Sequence, residues 1–437
     1  MEVITNSPGK CLISGGYLIL NKNKKGIVFN VNSYIKTKSK IIDNIDNNNI
    51  NELNINVKSI YFKQEFNYNI CCENNQIKIK NNFNENDEIN NNKWIYYSIL
   101  ISFYIYFLYD NKILEYFIKN KKSISLIIES DYKFYSYDKN NNNLNIKTGL
   151  GSSSALISSI CSNVIILLNN IYNKNNINNN NINNLENNIK SLILISSIYS
   201  NNFIQNKIGS NFDIISCLTG NQIFQQIKIN INFDNFLINE SNINHLNYLL
   251  KYFNNDYKIS YLKNLKKIFN FCLISIENGS NTRKFVKKIL EYANLNKKKD
   301  LFDDNLFSNL DKINNEIIKC FEENNFINLK LLCLEYRKIL QKISLESNVE
   351  IEPKIFNILL DNLLKYKEII YAICPGAGGY DSIVVMGENN NKNYEDFIKI
   401  VKINIEEFNN NNNNNNLKCH LIECNLINNG SLFSINY

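Results

Sequence analysis

The sequence predicts an α+β fold in two domains, and three observations carry the prediction. Segments with alternating apolar residues are intermixed with helical stretches along the whole chain. Glycine and proline are scarce, at 14 and 3 in 437 residues, and most of them gather in a few short clusters. Asparagine-rich tracts stand between the periodic segments, where connections belong. At this length two or three domains are expected, with enough chain for a sizeable core.

In chain order, segments 3–4, 11–20, 26–36 and 58–70 read as strands with alternating apolar positions. Segment 94–109 reads as a buried helix: it is apolar but rich in Tyr, and short of the roughly 20 residues a membrane span needs. Segment 123–129 is a strand rich in Ile and Leu. A helix follows Gly151 over 156–168, another covers 185–202, and 213–218 continues helical. Segments 222–231 and 271–277 return to strand. Segments 282–294, 321–345 and 355–365 are helices, and strands at 371–374 and 382–386 flank the last glycine loop. There is no internal repeat. The domain break is placed near Ile231, giving domains of 1–230 and 231–437. The tracts at 44–51, 140–145, 173–188, 389–393 and 409–416 are too polar to bury surface and read as solvated loop insertions.

The bulk numbers narrow the function. A net charge of +7 comes almost wholly from dispersed Lys, with no basic block interleaved with aromatics. That argues against nucleic acid as a partner and suits an anionic small molecule. Eleven Cys include no Cys-x-x-Cys, so they read as reduced thiols that pack as small apolar groups. The two His, His245 and His420, are far from every glycine cluster, which disfavours a His-based triad or metal site. The first motif starts at Ser7, leaving no room for a targeting peptide, so a cytoplasmic protein without a membrane partner is expected.

Chemistry concentrates where the rare residues are. Lys147-Thr148-Gly149-Leu150-Gly151-Ser152-Ser153-Ser154-Ala155 places two glycines and three serines directly before a helix. Free N–H groups, hydroxyls and the positive helix end suit a phosphate. The spelling is neither a Walker loop nor a dinucleotide fingerprint, and a structural turn before a helix is the competing reading. Lys207-Ile208-Gly209-Ser210-Asn211-Phe212-Asp213 offers a carboxylate at a helix start. Such an Asp serves either as a helix cap or as the group that orients a phosphoryl acceptor. Lys10 follows the rigid Pro8-Gly9 turn and could hold the transferring group. Pro375-Gly376-Ala377-Gly378-Gly379-Tyr380-Asp381 is a second anion loop or a tight turn between strands. Only two arginines occur, Arg283 and Arg337, and Arg is kept where a bidentate fork to phosphate or carboxylate matters.

These segments together resemble the GHMP kinase superfamily and, within it, the fungal-type phosphomevalonate kinases. Ser7-Pro8-Gly9-Lys10 through Gly15-Gly16-Tyr17-Leu18 is similar to that family's opening motif, and Lys147 to Ala155 to its ATP-phosphate loop. Lys207 to Asp213 is similar to its Lys-Ile-Gly-Ser-Gly-Phe-Asp segment, and Asn278-Gly279-Ser280-Asn281-Thr282 to its Gly-Ser-x-Thr element. Residues 344–353 and 375–381 are similar to its two C-terminal signatures, so the matches run in the family's order from 7 to 381. The resemblance implies a ribosomal S5 domain 2-like N-terminal domain, a ferredoxin-like C-terminal domain, and a site in the cleft between them. It implies ATP and Mg²⁺, and phosphoryl transfer to 5-phosphomevalonate in the mevalonate route to isoprenoids. Lys147, Gly149, Leu150, Gly151, Ser152, Ser153 and Ser154 would hold the ATP phosphates, with Ser153 at the Mg²⁺. Asp213 would orient or activate the acceptor, and Lys10 would stabilise the transferring group. Lys147, Lys207, Ser280, Thr282 and Arg337 would contact substrate, and Gly376, Gly378 and Gly379 would close the site.

The departures from the pattern are specific. Asn206 and Asn211 stand where Gly is common, and Asn tolerates left-handed backbone better than most residues. Asn201 stands where some members carry His, and Gln341 where Arg is usual; Arg283 has no counterpart. Other readings on the same fold are another small-molecule kinase, such as mevalonate kinase, and a catalytically inactive ligand sensor.

Overall fold

The computed structural model describes residues 1–43, 52–81, 88–137, 145–175, 182–206, 210–227, 229–277, 282–295, 305–389, 394–412 and 417–433. The chain opens with β1 (Glu2–Ser14) and β2 (Lys25–Asp43), a long antiparallel pair. β3 (Leu53–Ser59), β4 (Gln64–Glu73) and β5 (Gln76–Asn81) form a meander. α1 (Glu88–Tyr109) and α2 (Ile113–Lys119) lead to β6 (Lys122–Ser130), which lies parallel to β3. A small hairpin of β7 (Tyr135–Tyr137) and β8 (Asn145–Lys147) precedes α3 (Ser152–Asn175), α4 (Ile182–Gln205) and α5 (Phe212–Thr219). β9 (Gln222–Gln225), α6 (Glu240–Lys251), β10 (Ser260–Tyr261) and α7 (Leu265–Ile268) follow. The remainder is β11 (Phe269–Ile276), α8 (Thr282–Leu295), α9 (Asn305–Glu322), α10 (Leu329–Ser347), α11 (Lys354–Lys365), β12 (Tyr371–Ile373), β13 (Ser382–Glu388), α12 (Tyr394–Asn411) and β14 (Cys419–Glu423).

Among the described residues the strands make three sheets. The large one runs β10-β9-β2-β6-β3-β4-β5, with β1 also on β2. The small one runs β12-β13-β11-β14, all antiparallel. Numbered within that sheet alone, this is the 4-1-3-2 order of a ferredoxin-like unit, and helices fill both crossovers as that topology requires. The large sheet's last strand lies beyond Ile231, and the small sheet begins at Phe269.

Burial explains why these segments take these shapes. β3 alternates, with Leu53, Ile55 and Val57 buried and Asn54 and Asn56 half-exposed. Every residue of β11 is buried, as befits a strand covered on both faces. α3 is apolar nearly all round, and its stretch Ser152–Ile171 is long and apolar enough to cross a membrane by composition. It is instead a core helix, 89% buried in that stretch. Its polar residues tie it to the strands beneath: Ser159 Oγ meets Thr37 Oγ1 at 2.8 Å, and Asn163 Nδ2 donates to the carbonyls of Thr37 at 2.9 Å and Val3 at 3.1 Å. These bonds fix where the helix begins, which is where the glycine–serine loop lies.

Several expected elements are redrawn. The strand expected over 11–20 stops at Ser14, because Gly15 at φ +84° and Tyr17 at φ +63° turn the chain. Segment 58–70 is two strands with a turn carrying Lys63 at φ +52°. Segment 321–345 spans the break between α9 and α10, where Asn324 is at φ +51°. The strand over 222–231 ends at Gln225. The Asn-rich tracts are not all loops: α4 begins at Ile182, inside one, and α12 runs to Asn411, inside another.

Candidate active site

A cleft of about 880 Å³ opens between the end of β1, the starts of α3 and α5, helix α8 and the 375–382 loop. On its large-sheet side, Gly149 and Gly151 sit at φ +77° and +74° on either side of buried Leu150. Both conformations favour glycine. Space demands it as well: a Cβ on Gly149 would lie 2.7 Å from Ser382 Oγ, and one on Gly151 would lie 2.6 Å from Lys10 Cε. The loop is anchored by its neighbours. Thr148 Oγ1 donates to the Lys133 carbonyl at 2.6 Å, and the Lys10 N–H donates to the Leu150 carbonyl at 2.9 Å. Ser152, Ser153 and Ser154 then line the cleft as the first turn of α3, whose start carries partial positive charge. Lys147 Nζ donates to Ser153 Oγ at 3.1 Å, adding a full charge beside that turn.

Lys10 and Asp213 face the same cleft. The Lys10 ammonium stands 4.8 Å from the centroid of the Phe212 ring, a cation–π contact that aims it along the first turn of α5. Asp213 is the next residue. Asn211, which precedes this helix, is left-handed at φ 58°, ψ 16°, and Asn206 is at φ +50°. Asparagine therefore keeps the backbone expected of glycine at both places. Asn201 Nδ2 donates to Asn211 Oδ1 at 3.0 Å, and Gln205 Nε2 donates to Asn201 Oδ1 at 2.5 Å, which ties the end of α4 to the start of α5. Behind them the Cys217 thiol is pushed up to about 12, mainly by burial, against the opposing charge of Lys10. It is a neutral group at physiological pH and no nucleophile.

The far side is a meeting of two loops. A Cβ on Gly16 would come 2.1 Å from the Gly376 carbonyl, so only glycine lets the backbones approach this closely. The Gly376 N–H donates to the Leu12 carbonyl at 3.1 Å. The Tyr17 hydroxyl donates to the Ala377 carbonyl at 2.7 Å, and both residues line the cleft.

The cleft thus gathers Lys10, Lys147, Gly149, Leu150, Gly151, Ser152, Ser153, Ser154, Asp213 and Gly376. Gly378 and Gly379 are not among its lining residues. A Cβ on Gly378 would lie 1.9 Å from the Ile351 carbonyl, and the Gly379 N–H donates to that same oxygen at 2.9 Å. Arg337 corrects an expectation more sharply. It is buried and its fork is spent on Glu352, so it does not face the cleft as a substrate contact. Gln341, where Arg was expected, donates to Glu352 as well. Lys207 and Ser280 lie outside the described residues, and Thr282 is the first residue of α8. Sequence reasoning missed Tyr17, Trp94, Gln205, Phe212, Lys287, Asp381 and Ser382, all lining the cleft. Tyr17, Phe212 and Asp381 lay within the quoted motifs; Trp94, Gln205 and Lys287 carried no local signal. Among the described residues no group of three or more His, Cys, Asp or Glu converges. The donors at hand are single hydroxyl and carboxylate oxygens, which suit a hard cation that keeps waters and phosphate oxygens.

No family model matches the chain. It is 22% identical over 457 residues to the phosphomevalonate kinase of Aspergillus fumigatus, covering 88% of this chain and 87% of that one. The structure is similar to that of Streptococcus pneumoniae phosphomevalonate kinase in complex with phosphomevalonate and AMPPNP, with a TM-score of 0.55 at 14% identity, covering 97% of this chain and 100% of that one. It is also similar to that of Methanococcus jannaschii mevalonate kinase, with a TM-score of 0.55 at 16% identity, covering 98% and 99%. The structural likenesses cover nearly all of the chain, and the fold is that of the GHMP kinases, mixed α and β with two main sheets.

Proposed function

We propose that this protein is a phosphomevalonate kinase, which transfers the γ-phosphoryl group of ATP to the phosphate of 5-phosphomevalonate and releases ADP. The observation that carries the reading is the convergence of the glycine–serine loop, Lys10 and Asp213 on one cleft. The relative that covers 88% of the chain bears that name.

The chemistry follows from the groups present. The amides and hydroxyls at the start of α3 hold the ATP phosphates, with Lys147 beside them. When bound, Mg²⁺ neutralises phosphate charge, and Ser153 is the hydroxyl that would hold it. The acceptor phosphate has a second pKa near 6, so its attacking oxygen is already ionised and needs no strong base. Its bond to the γ-phosphorus forms as the bond to the ADP oxygen breaks. Asp213 orients the acceptor, and Lys10 neutralises charge on the transferring group. Lys207, Ser280 and Thr282 are proposed acceptor contacts, and Gly376 closes the site from the far side.

Purified protein given ATP and Mg²⁺ should release ADP with 5-phosphomevalonate, and not with mevalonate or 5-diphosphomevalonate. Turnover with another acceptor would keep the kinase and replace the substrate. Nucleotide binding without turnover on any acceptor would make the protein a sensor.

A further inference from the structure

The Arg337 and Glu352 side chains are only 2% and 1% exposed. Arg337 Nε donates to Glu352 Oε2 and Nη2 to Oε1, both at 2.9 Å, and Gln341 Nε2 adds a third bond at 2.6 Å. The remaining guanidinium nitrogen, Nη1, reaches Asp361 at 2.8 Å. A buried ion pair contributes little net stability, because desolvation offsets its attraction. The pair therefore calls for another reason.

Its chain neighbours supply one. Tyr336, just before Arg337, accepts the Gly15 N–H on its hydroxyl at 3.0 Å. Ile351, just before Glu352, accepts the Gly379 N–H at 2.9 Å, and its carbonyl occupies the space beside Gly378. Gly15 starts the turn that carries Tyr17 into the cleft. Gly378 and Gly379 end the loop that carries Gly376 and Ala377 into it. The two loops then touch through the Tyr17 hydroxyl and the Ala377 carbonyl. Tyr17 keeps φ +63° with ψ −38°, a sparsely populated backbone conformation that persists only where the surroundings impose it.

We propose that the Arg337–Glu352 pair is a brace that sets the relative position of the 15–17 turn and the 375–379 loop. On the functional reading above, Arg337 and Glu352 are positioning residues for the acceptor. They touch no substrate; they act through Tyr336 and Ile351 on the loops that do.

The test replaces the pair by apolar side chains, Arg337→Met with Glu352→Leu, in the full chain. Such exchanges commonly leave stability unchanged or raised, so folding and bracing separate. Amide hydrogen exchange over residues 14–20 and 374–380, without ligand, should quicken about tenfold while the rest of the fold keeps its protection. KM for 5-phosphomevalonate should rise about tenfold, a coupling of about 1.4 kcal/mol, with KM for ATP held within about twofold. Unchanged exchange and KM in a folded variant would overturn the brace. If the double variant does not fold, Tyr336→Phe decides by the same readouts, since it removes one hydroxyl and leaves the pair. Should the wild type not turn over 5-phosphomevalonate, the functional reading falls, while the exchange measurement still judges the brace.

Discussion

Asp213 occupies the first turn of α5, where the partial positive charge of the helix start favours a carboxylate whatever its task. A capping role and a catalytic role therefore predict different outcomes for Asp213→Asn. The amide keeps the shape, and an exchange at a half-exposed helix start costs stability under about 1 kcal/mol. If the carboxylate orients the acceptor, kcat should fall by about two orders of magnitude or more, with the thermal midpoint nearly unmoved. Near-normal kcat in steady-state ADP release would remove Asp213 from the mechanism. Lys10, Asp213 and the loop around Gly151 were legible because a chain poor in glycine spends it where the backbone is constrained. The reason for the constraint was only half legible. Gly149 and Gly151 make room for Ser382 and Lys10 as well as facing the cleft, and those partners are distant in sequence. Arg337 shows the limit of rarity as a guide. Its scarcity reports a need for a bidentate fork, but not that the carboxylate it meets is Glu352 of the same chain.

Asparagine misleads where it is read as composition alone. α12 ends inside a run of Asn because Phe397, Ile398, Val401, Ile405 and Phe408 recur at helical spacing and are buried. Periodicity decides the helix, and the polar residues only have to find water or a partner. Asn409 finds one: its side chain donates to the Cys419 carbonyl at 2.9 Å and accepts the Cys419 N–H at 2.8 Å. The amide thus pairs with β14 as another strand would, and joins the end of α12 to the edge of the small sheet. Asn409→Ala leaves both backbone groups of a buried residue short of a partner and should cost about 1–3 kcal/mol. The neighbouring exposed Asn410→Ala should change nothing measurable. Equal urea midpoints for the two variants would show that this part of the tract is passive. The same physics explains the other redrawn elements. Alternation in 58–70 and helical periodicity in 321–345 run on across turns; the left-handed Lys63 that breaks the first is no turn residue, and Asn324, a type that suits such a turn, does not stand out in a chain full of Asn.

The buried thiols make a prediction about the whole molecule. None of the eleven cysteines is in a disulfide, and Cys72 alone is exposed, so composition was a sound guide to their apolar role. Cys11 in β1, Cys217 in α5 and Cys333 in α10 are each pushed up to about 12, chiefly by burial. They belong to elements from both sides of the cleft, so the effect is not confined to one sheet. An unfolded thiol titrates near 9.0. Above that pH the unfolded chain loses protons that the folded chain still holds. Fewer protons bound in the unfolded state means that stability falls as pH rises. The contribution is complete below about pH 9 and is lost progressively toward 12, in the opposite sense to the acid unfolding that paired carboxylates cause. Urea midpoints should be level between pH 7 and 8.5 and fall steeply between 9 and 10, before most lysines lose their charge. Alanine at Cys217 would remove one titrating group at the cost of a small cavity, lowering stability at neutral pH but flattening the alkaline slope. A slope unchanged by that substitution would mean that Cys217 does not titrate on unfolding in this window.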